Sequence, residues 1–232
     1  ISSLLTDGRA LDAGAHEEEA LQKFVAALKI DPDNYEANWQ TSFLFSRIGN
    51  RQTDEEKKKQ YFITAKVYAQ KALKLNPTDA ESNFVMAVAM GRIALISGPK
   101  DKVGASRDIK MYADLAIKYN PNHAGAWHVL GKWNYEVSNL NFAEKAAANT
   151  LFGGIPEGAS VANAIDCYKK AIQLRPDYIL YFLDLAIAYD NLQDDVNAIA
   201  TLKAAVMLKL ITEDDPTYMQ QCKDMLMKLH SK

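Results

Sequence analysis

Cysteine is almost absent. Cys167 and Cys222 are the only two, lie far apart, and do not make a disulfide framework. Each stands in an apolar helical pattern and reads as a buried packing group, so neither fixes a redox compartment. A charge of one sign is missing as well: 27 Lys and Arg stand against 29 Asp and Glu, for a net charge of -2. That balance supplies no global field to draw in nucleic acid or an anionic membrane, so recognition has to be local. Nor is there an apolar run of the roughly 18 to 20 residues that crosses a bilayer, and no basic-then-apolar leader stands at the start. The chain begins at Ile1 rather than Met. This predicts a processed or trimmed form and leaves cytoplasmic and exported locations both open.

The residue patterns of catalysis are missing too. His16, His123, His128 and His230 share no metal-ligand spacing, since His123 falls in a turn before the helix that carries His128. No Ser or Cys stands in a nucleophile motif, and no glycine loop with a lysine offers a phosphate cradle. Gly153-Gly154 lacks the flanking strand of a nucleotide fingerprint and reads as a helix stop. The expectation is a non-catalytic chain with no metal, no cofactor and no nucleic-acid partner.

What the chain does have is a repeated helix ending. Ala-Leu-Lys-Ile-Asp-Pro32, Ala-Leu-Lys-Leu-Asn-Pro77, Ala-Ile-Lys-Tyr-Asn-Pro121 and Ala-Ile-Gln-Leu-Arg-Pro176 are copies of one signal, a helix stopped by proline. These endings resemble tetratricopeptide repeats, units of about 34 residues that pair two helices. From Ile179 the match holds without a gap through Phe182, Leu185, Ala186, Tyr189, Ala198, Leu202 and Ala205. The first copy supplies Leu4, Gly8, Leu11, Ala20, Phe24, Ala27 and Pro32, with Asp7 where leucine belongs, so its first helix is expected to fray. Prolines 32 and 77 are 45 residues apart, 77 and 121 are 44 apart, and 121 and 176 are 55 apart, so the middle repeats are stretched. Because the outer positions keep register from each proline, the surplus lies between the two helices of each pair.

In repeat two that surplus is read as Arg51 to Gln60, with Thr53 and Glu56 as a capping box and Lys57 to Lys59 as a solvated charge run. In repeat three, Ser97-Gly98-Pro99 marks a loop and Gly104 a second break. Repeat four carries the longest insert, with Asn141 and Glu144 as a capping box for an extra helix over Phe142 to Leu151, ended by Gly153-Gly154 and Pro156. Here the run Gly131-Lys-Trp133-Asn-Tyr135-Glu136-Val-Ser-Asn139-Leu140, with Glu144-Lys145 and Leu151-Phe152-Gly153-x-x-Pro156, resembles the repeat domain of the regulator of microtubule dynamics proteins.

The resulting expectation is an all-α chain forming one domain over 1-232. It is read as a right-handed superhelical stack of antiparallel helix pairs, with repeats at about 1-34, 35-78, 79-122, 123-178 and 179-211. A final helix at about 215-230 places Tyr218, Cys222, Met225, Leu226 and Leu229 near one face and caps the open end. Trp127, a signature position, serves folding. The resemblance to tetratricopeptide repeats implies a concave groove lined by the first helix of each pair. Those positions are Arg9, Trp39, Phe43, Arg47, Phe84, Arg92, His128, Lys132, Tyr135 and Asn191, of which the aromatics Trp39, Phe43 and Phe84 read first as packing between repeats and second as anchors for a ligand. Arg47 and Arg92 recur at one position of successive repeats and suit a carboxylate or phosphate, or else pair internally with Asp12, Glu36, Glu81 or Glu136. The favoured reading is a scaffold that binds a partner protein or peptide in this groove, with alanine at Arg47 and Arg92 weakening capture at little cost in stability. The alternative is a carrier of lipid or a small amphiphile, held in an apolar hollow between the stretched pairs. It draws on the family resemblance, which implies links to microtubules and membrane contact sites.

Overall fold

A computed structural model describes residues 1-151 and 153-231. Twelve helices account for most of them, and no strand occurs among the described residues. The helices are α1 (Ser2–Ala13), α2 (Glu17–Ile30), α3 (Tyr35–Arg51), α4 (Glu55–Leu75), α5 (Ala80–Leu95), α6 (Pro99–Tyr119), α7 (Ala124–Ser138), α8 (Phe142–Leu151), α9 (Val161–Leu174), α10 (Ile179–Asn191), α11 (Asp195–Ala205) and α12 (Asp215–His230). They pack pairwise as α1 with α2, α3 with α4, α5 with α6, α7 with α9 and α10 with α11, which is the tetratricopeptide arrangement. None of these helices is long and apolar enough to cross a membrane.

The chain divides into two compact units. The first comprises Ile1–Pro121 with Phe142–Pro156, and the second Asn122–Asn141 with Glu157–Lys232.

In the first unit small residues admit large ones across each pair. A Cβ on Gly8 would lie 2.8 Å from the Phe24 ring, which is fully buried. Despite Asp7, α1 is therefore a complete helix: Asp7 turns outward to Lys23 at 3.3 Å, while Gly8 takes up the contact with α2. In repeat two the close approach is made by Ser42, whose hydroxyl donates to the Ala65 carbonyl of α4 at 2.8 Å. Gly49 repeats it two turns on, where a Cβ would meet Tyr61 Cβ at 2.7 Å.

The surplus residues of repeats two and three lengthen helices, and two punctuation marks are corrected. The α4 cap is Asp54, which accepts from the Lys57 amide at 2.8 Å, one residue after the expected Thr53. Gly104 does not break α6, which runs unbroken from Pro99 to Tyr119 after a start at Gly98. Twenty other residues hold that helix, and one interior glycine costs about 1 kcal/mol.

The insert forms α8 over the expected residues and packs on α6. Gly153 and Gly154 take φ of 79° and 84°, and the Gly154 amide returns to the Ala148 carbonyl at 2.9 Å. Arg107 of α6 donates to both glycine carbonyls, at 2.9 and 3.2 Å. Phe152, part of the family-like motif, lies outside the described residues.

In the second unit Gly131 of α7 admits Tyr168 of α9, with a Cβ position 2.7 Å from the ring. The core runs through Ile179, Leu183, Leu185, Ala198 and Leu202 and is closed by Cys222 and Leu229 of α12, with Tyr218, Met225 and Leu226 packed at its edge. Both cysteines are free thiols, and burial pushes the Cys222 thiol up to about 11.

Candidate functional site

The groove positions fall on both units, six on the first and four on the second. In the first unit the helix starts are tied down by a residue type that the repeat pattern does not require. Asn38 and Asn83 stand where the repeat carries a bulky side chain, and both are fully buried. Each donates to the carbonyl of the preceding proline at 3.0 Å, Asn38 to Pro32 and Asn83 to Pro77. Tyr35 adds a hydrogen bond from α3 to the Asp79 carboxylate at the head of α5, 2.5 Å long. The anionic partner and burial push its phenol well above the ordinary value, burial being the larger cause. Helices α3 and α5 are thereby held in register.

That register brings Phe43 against Phe84, with ring centroids 5.4 Å apart and planes at 51°. Trp39, one turn before Phe43, is half-buried on the same face. Polar residues border this aromatic strip. Arg9 reaches Glu36 at 2.5 Å and Thr6 at 3.2 Å, and Arg92 donates to Asn50 at 3.0 Å with its guanidinium over the Phe62 ring.

Arg47 behaves differently from Arg92, although both occupy the same repeat position. Its guanidinium is buried, binds Glu17, and approaches Asp12 at 3.4 Å while resting over Phe43. Glu17 is fully buried and also takes Arg51 at 2.8 Å. A buried carboxylate is tolerated only with such partners, so this cluster joins α1, α2 and α3. The expectation that alanine at Arg47 leaves stability nearly intact is therefore corrected: the substitution strips a buried anion of a cationic partner. Glu17 escaped sequence reading because it heads the run Glu17-Glu18-Glu19, which reads as solvated acids at a helix start.

In the second unit His128, Lys132 and Glu136 lie one turn apart on α7. Asp184 of α10 meets the first two. His128 Nε2 lies 2.8 Å from its carboxylate and Lys132 Nζ at 3.6 Å, while Lys132 also pairs with Glu136 at 3.2 Å. The His128 ring stacks on Tyr181, centroids 4.7 Å apart, and tilts against Tyr168 at 5.6 Å. Burial opposes ionisation of Asp184, but the His128 hydrogen bond and the Lys132 charge outweigh it and hold the carboxyl below the ordinary range. Burial likewise works against the charged form of Lys132, and Asp184 and Glu136 overcome it, so its pKa is raised. Tyr135 lies beside Lys132, 5.8 Å from ammonium to ring, and burial raises its phenol. Asn191 closes this face by donating to Asn139 at 3.1 Å. The result is an ordered strip of paired charges, amides and phenols. Asp184 carried a signal that could have been read: it is the one acid inside the apolar run Ile179 to Tyr189.

No group of three or more His, Cys, Asp or Glu gathers to hold a metal among the described residues. A shallow depression of about 280 Å³ lies among Lys169, Ile172, Phe182, Leu185 and the α11 residues Ala200, Thr201 and Ala204. It belongs to the second unit, and none of the groove positions of α7 is among its lining residues.

A sequence model of the family described as "Regulator of microtubule dynamics protein 1-3" matches residues 4–230. Among curated relatives, regulator of microtubule dynamics protein 2 of Homo sapiens is 28% identical over 184 residues, 79% of this chain and 45% of the relative. Regulator of microtubule dynamics protein 3 of Xenopus laevis is 27% identical over 218 residues, 93% of this chain and 47% of the relative. The chain thus spans less than half the length of these relatives. Among solved structures, a thermophilic TPR protein in Thermus thermophilus superposes with a TM-score of 0.71 at 17% identity, covering 97% of this chain and 98% of its own. That likeness shows the fold alone.

Proposed function

From the chain's membership of the regulator of microtubule dynamics family, which the match over residues 4–230 shows, we propose that it is a non-catalytic repeat module that binds a segment of a partner protein. The observation that supports this most is the strip on α3 and α5, where Trp39 and Phe43 stay partly exposed beside the Phe84 ring while polar side chains line the border. An apolar centre with a polar rim is the anatomy of a protein interface, and Trp and Arg are enriched among its strongest anchors. Rings held in place by packing lose little further freedom on binding. The partner segment is expected to carry an apolar side chain that packs on Trp39 and Phe43 and polar groups that meet Arg9 and Arg92. In the second unit His128, Lys132, Tyr135 and Asn191 form the corresponding polar strip.

Selection from a displayed peptide library tests this reading. Peptides enriched on the native chain are expected to bind the Trp39→Ala, Phe43→Ala double variant on the order of tenfold or more weakly. The variant must retain the far-UV circular dichroism of the native chain. Enrichment that ignores both substitutions would overturn the assignment of this strip.

A further inference from the structure

The stretch Lys57 to Thr78 contains six lysines and no Asp or Glu, in a chain whose net charge is -2. Nearly all of it is α4, the 21-residue second helix of repeat two. The helix buries Phe62, Ala65, Ala69 and Ala72 on one side. The opposite side presents Lys59, Ile63, Lys66, Val67, Gln70 and Lys74 at spacings of one, three and four residues, hence on one face. Lys59, Lys66, Lys71 and Lys74 form no ion pair among the described residues, whereas Lys58 pairs with Glu55 at 2.9 Å and Lys71 only rests over the Tyr68 ring. Between the lysines two β-branched side chains stand out into solvent, Ile63 at 40% and Val67 at 45% exposure.

We propose that this face of α4 docks on the surface of an anionic phospholipid bilayer. Charge complementarity gives the sign of the partner: a local cluster of uncompensated cations attracts anions even where the whole chain is near neutral. The choice of cation points to the kind of anion. A site for a carboxylate or phosphate of fixed geometry favours the arginine fork, whereas lysines are flexible point charges suited to a diffuse field. Every cation in this stretch is lysine. Apolar side chains set among lysines on a helix face are the pattern of interfacial binding, in which the aliphatic groups enter the headgroup layer and the ammonium groups meet anionic lipid. This surface is formed by a second helix of a pair, so it is separate from the strip on the first helices α3 and α5 and does not depend on the function assigned there.

Co-sedimentation of the full chain with phosphatidylcholine vesicles, with and without phosphatidylserine, tests the proposal. Binding is expected only with phosphatidylserine and is expected to fall as salt rises. Changing Lys59, Lys66, Lys71 and Lys74 together to Glu is expected to lower partition on the order of a hundredfold or more, with the far-UV spectrum and melting curve retained. If that variant fails to fold, the corresponding four Lys→Gln changes replace it and are expected to lower partition in the same direction. Ile63→Ser with Val67→Ser is expected to lower partition a fewfold. Absence of binding to phosphatidylserine vesicles at low salt overturns the proposal. So does unchanged partition of the lysine variants, or a preference for polyglutamate or duplex DNA over vesicles.

Discussion

Arg47 and Arg92 show how far equivalent positions diverge at the residue scale. Repeat counting places them alike, yet Arg47 is committed to the buried Glu17 while Arg92 lies over Phe62 and meets Asn50. Arg47→Ala is expected to destabilise the chain by about 3 kcal/mol, because it leaves a buried anion undercompensated. The shift of the denaturant midpoint measures this, and Arg9→Ala, whose salt bridge is exposed, should change it by less than about 1 kcal/mol. Asp184 gives a pH signature. Its folded pKa lies below the ordinary 3.8, so the stability it contributes is present above that value and is lost as pH falls through the lower folded value. Asp184→Asn is therefore expected to be clearly less stable than the native chain near neutral pH, with the gap narrowing below about pH 4 in acid titrations followed by circular dichroism. The histidine and lysine of this cluster stand out by repeat spacing and Asp184 by being the one acid in an apolar run, but the pairing of the three was not legible. Spacing ranks positions by direction from one helix, whereas the partner comes from another.

Helix boundaries follow the same logic at the element scale. Proline endings, the insert helix and the final amphipathic helix were legible because each rests on a strong local signal: a missing amide, a pair of glycines, an apolar face. Cap and break positions were less so. Thr53 and Asp54 are adjacent and both able to cap, and the side chain that wins is the one whose oxygen reaches the Lys57 amide. Asp54→Ala is expected to cost about 1 kcal/mol and Thr53→Ala much less. Gly104 stands in mid-helix with no atom within 4 Å of an added Cβ. Gly104→Ala is expected to stabilise by about 0.5 to 1 kcal/mol, read as a rise in thermal midpoint. A glycine looks like a break in sequence because its neighbours' packing is invisible there. In α6 the buried Val103, Ala105, Ala113 and Ala116 hold the helix through it.

For the molecule as a whole, the repeat grammar and the family resemblance carried most of the fold, since small residues facing large ones recur at fixed intervals. The division into two units was not legible, because every repeat advertises the same local packing. Removal of α12 from residue 211 onward is expected to expose the core around Leu202 and Tyr189 and to abolish cooperative melting of the second unit, as followed by far-UV circular dichroism. The order of segments within the units has a practical side. From Pro121 the chain enters the second unit to build α7, returns at Phe142 to lay α8 on α6, and leaves again after Pro156. Each unit is therefore discontinuous in sequence. No single cleavage yields both units whole: a cut after Pro121 separates α8 from the helix it packs on, and a cut after Pro156 separates α7 from its partner α9. Fragments intended to isolate one activity from another must be spliced rather than truncated.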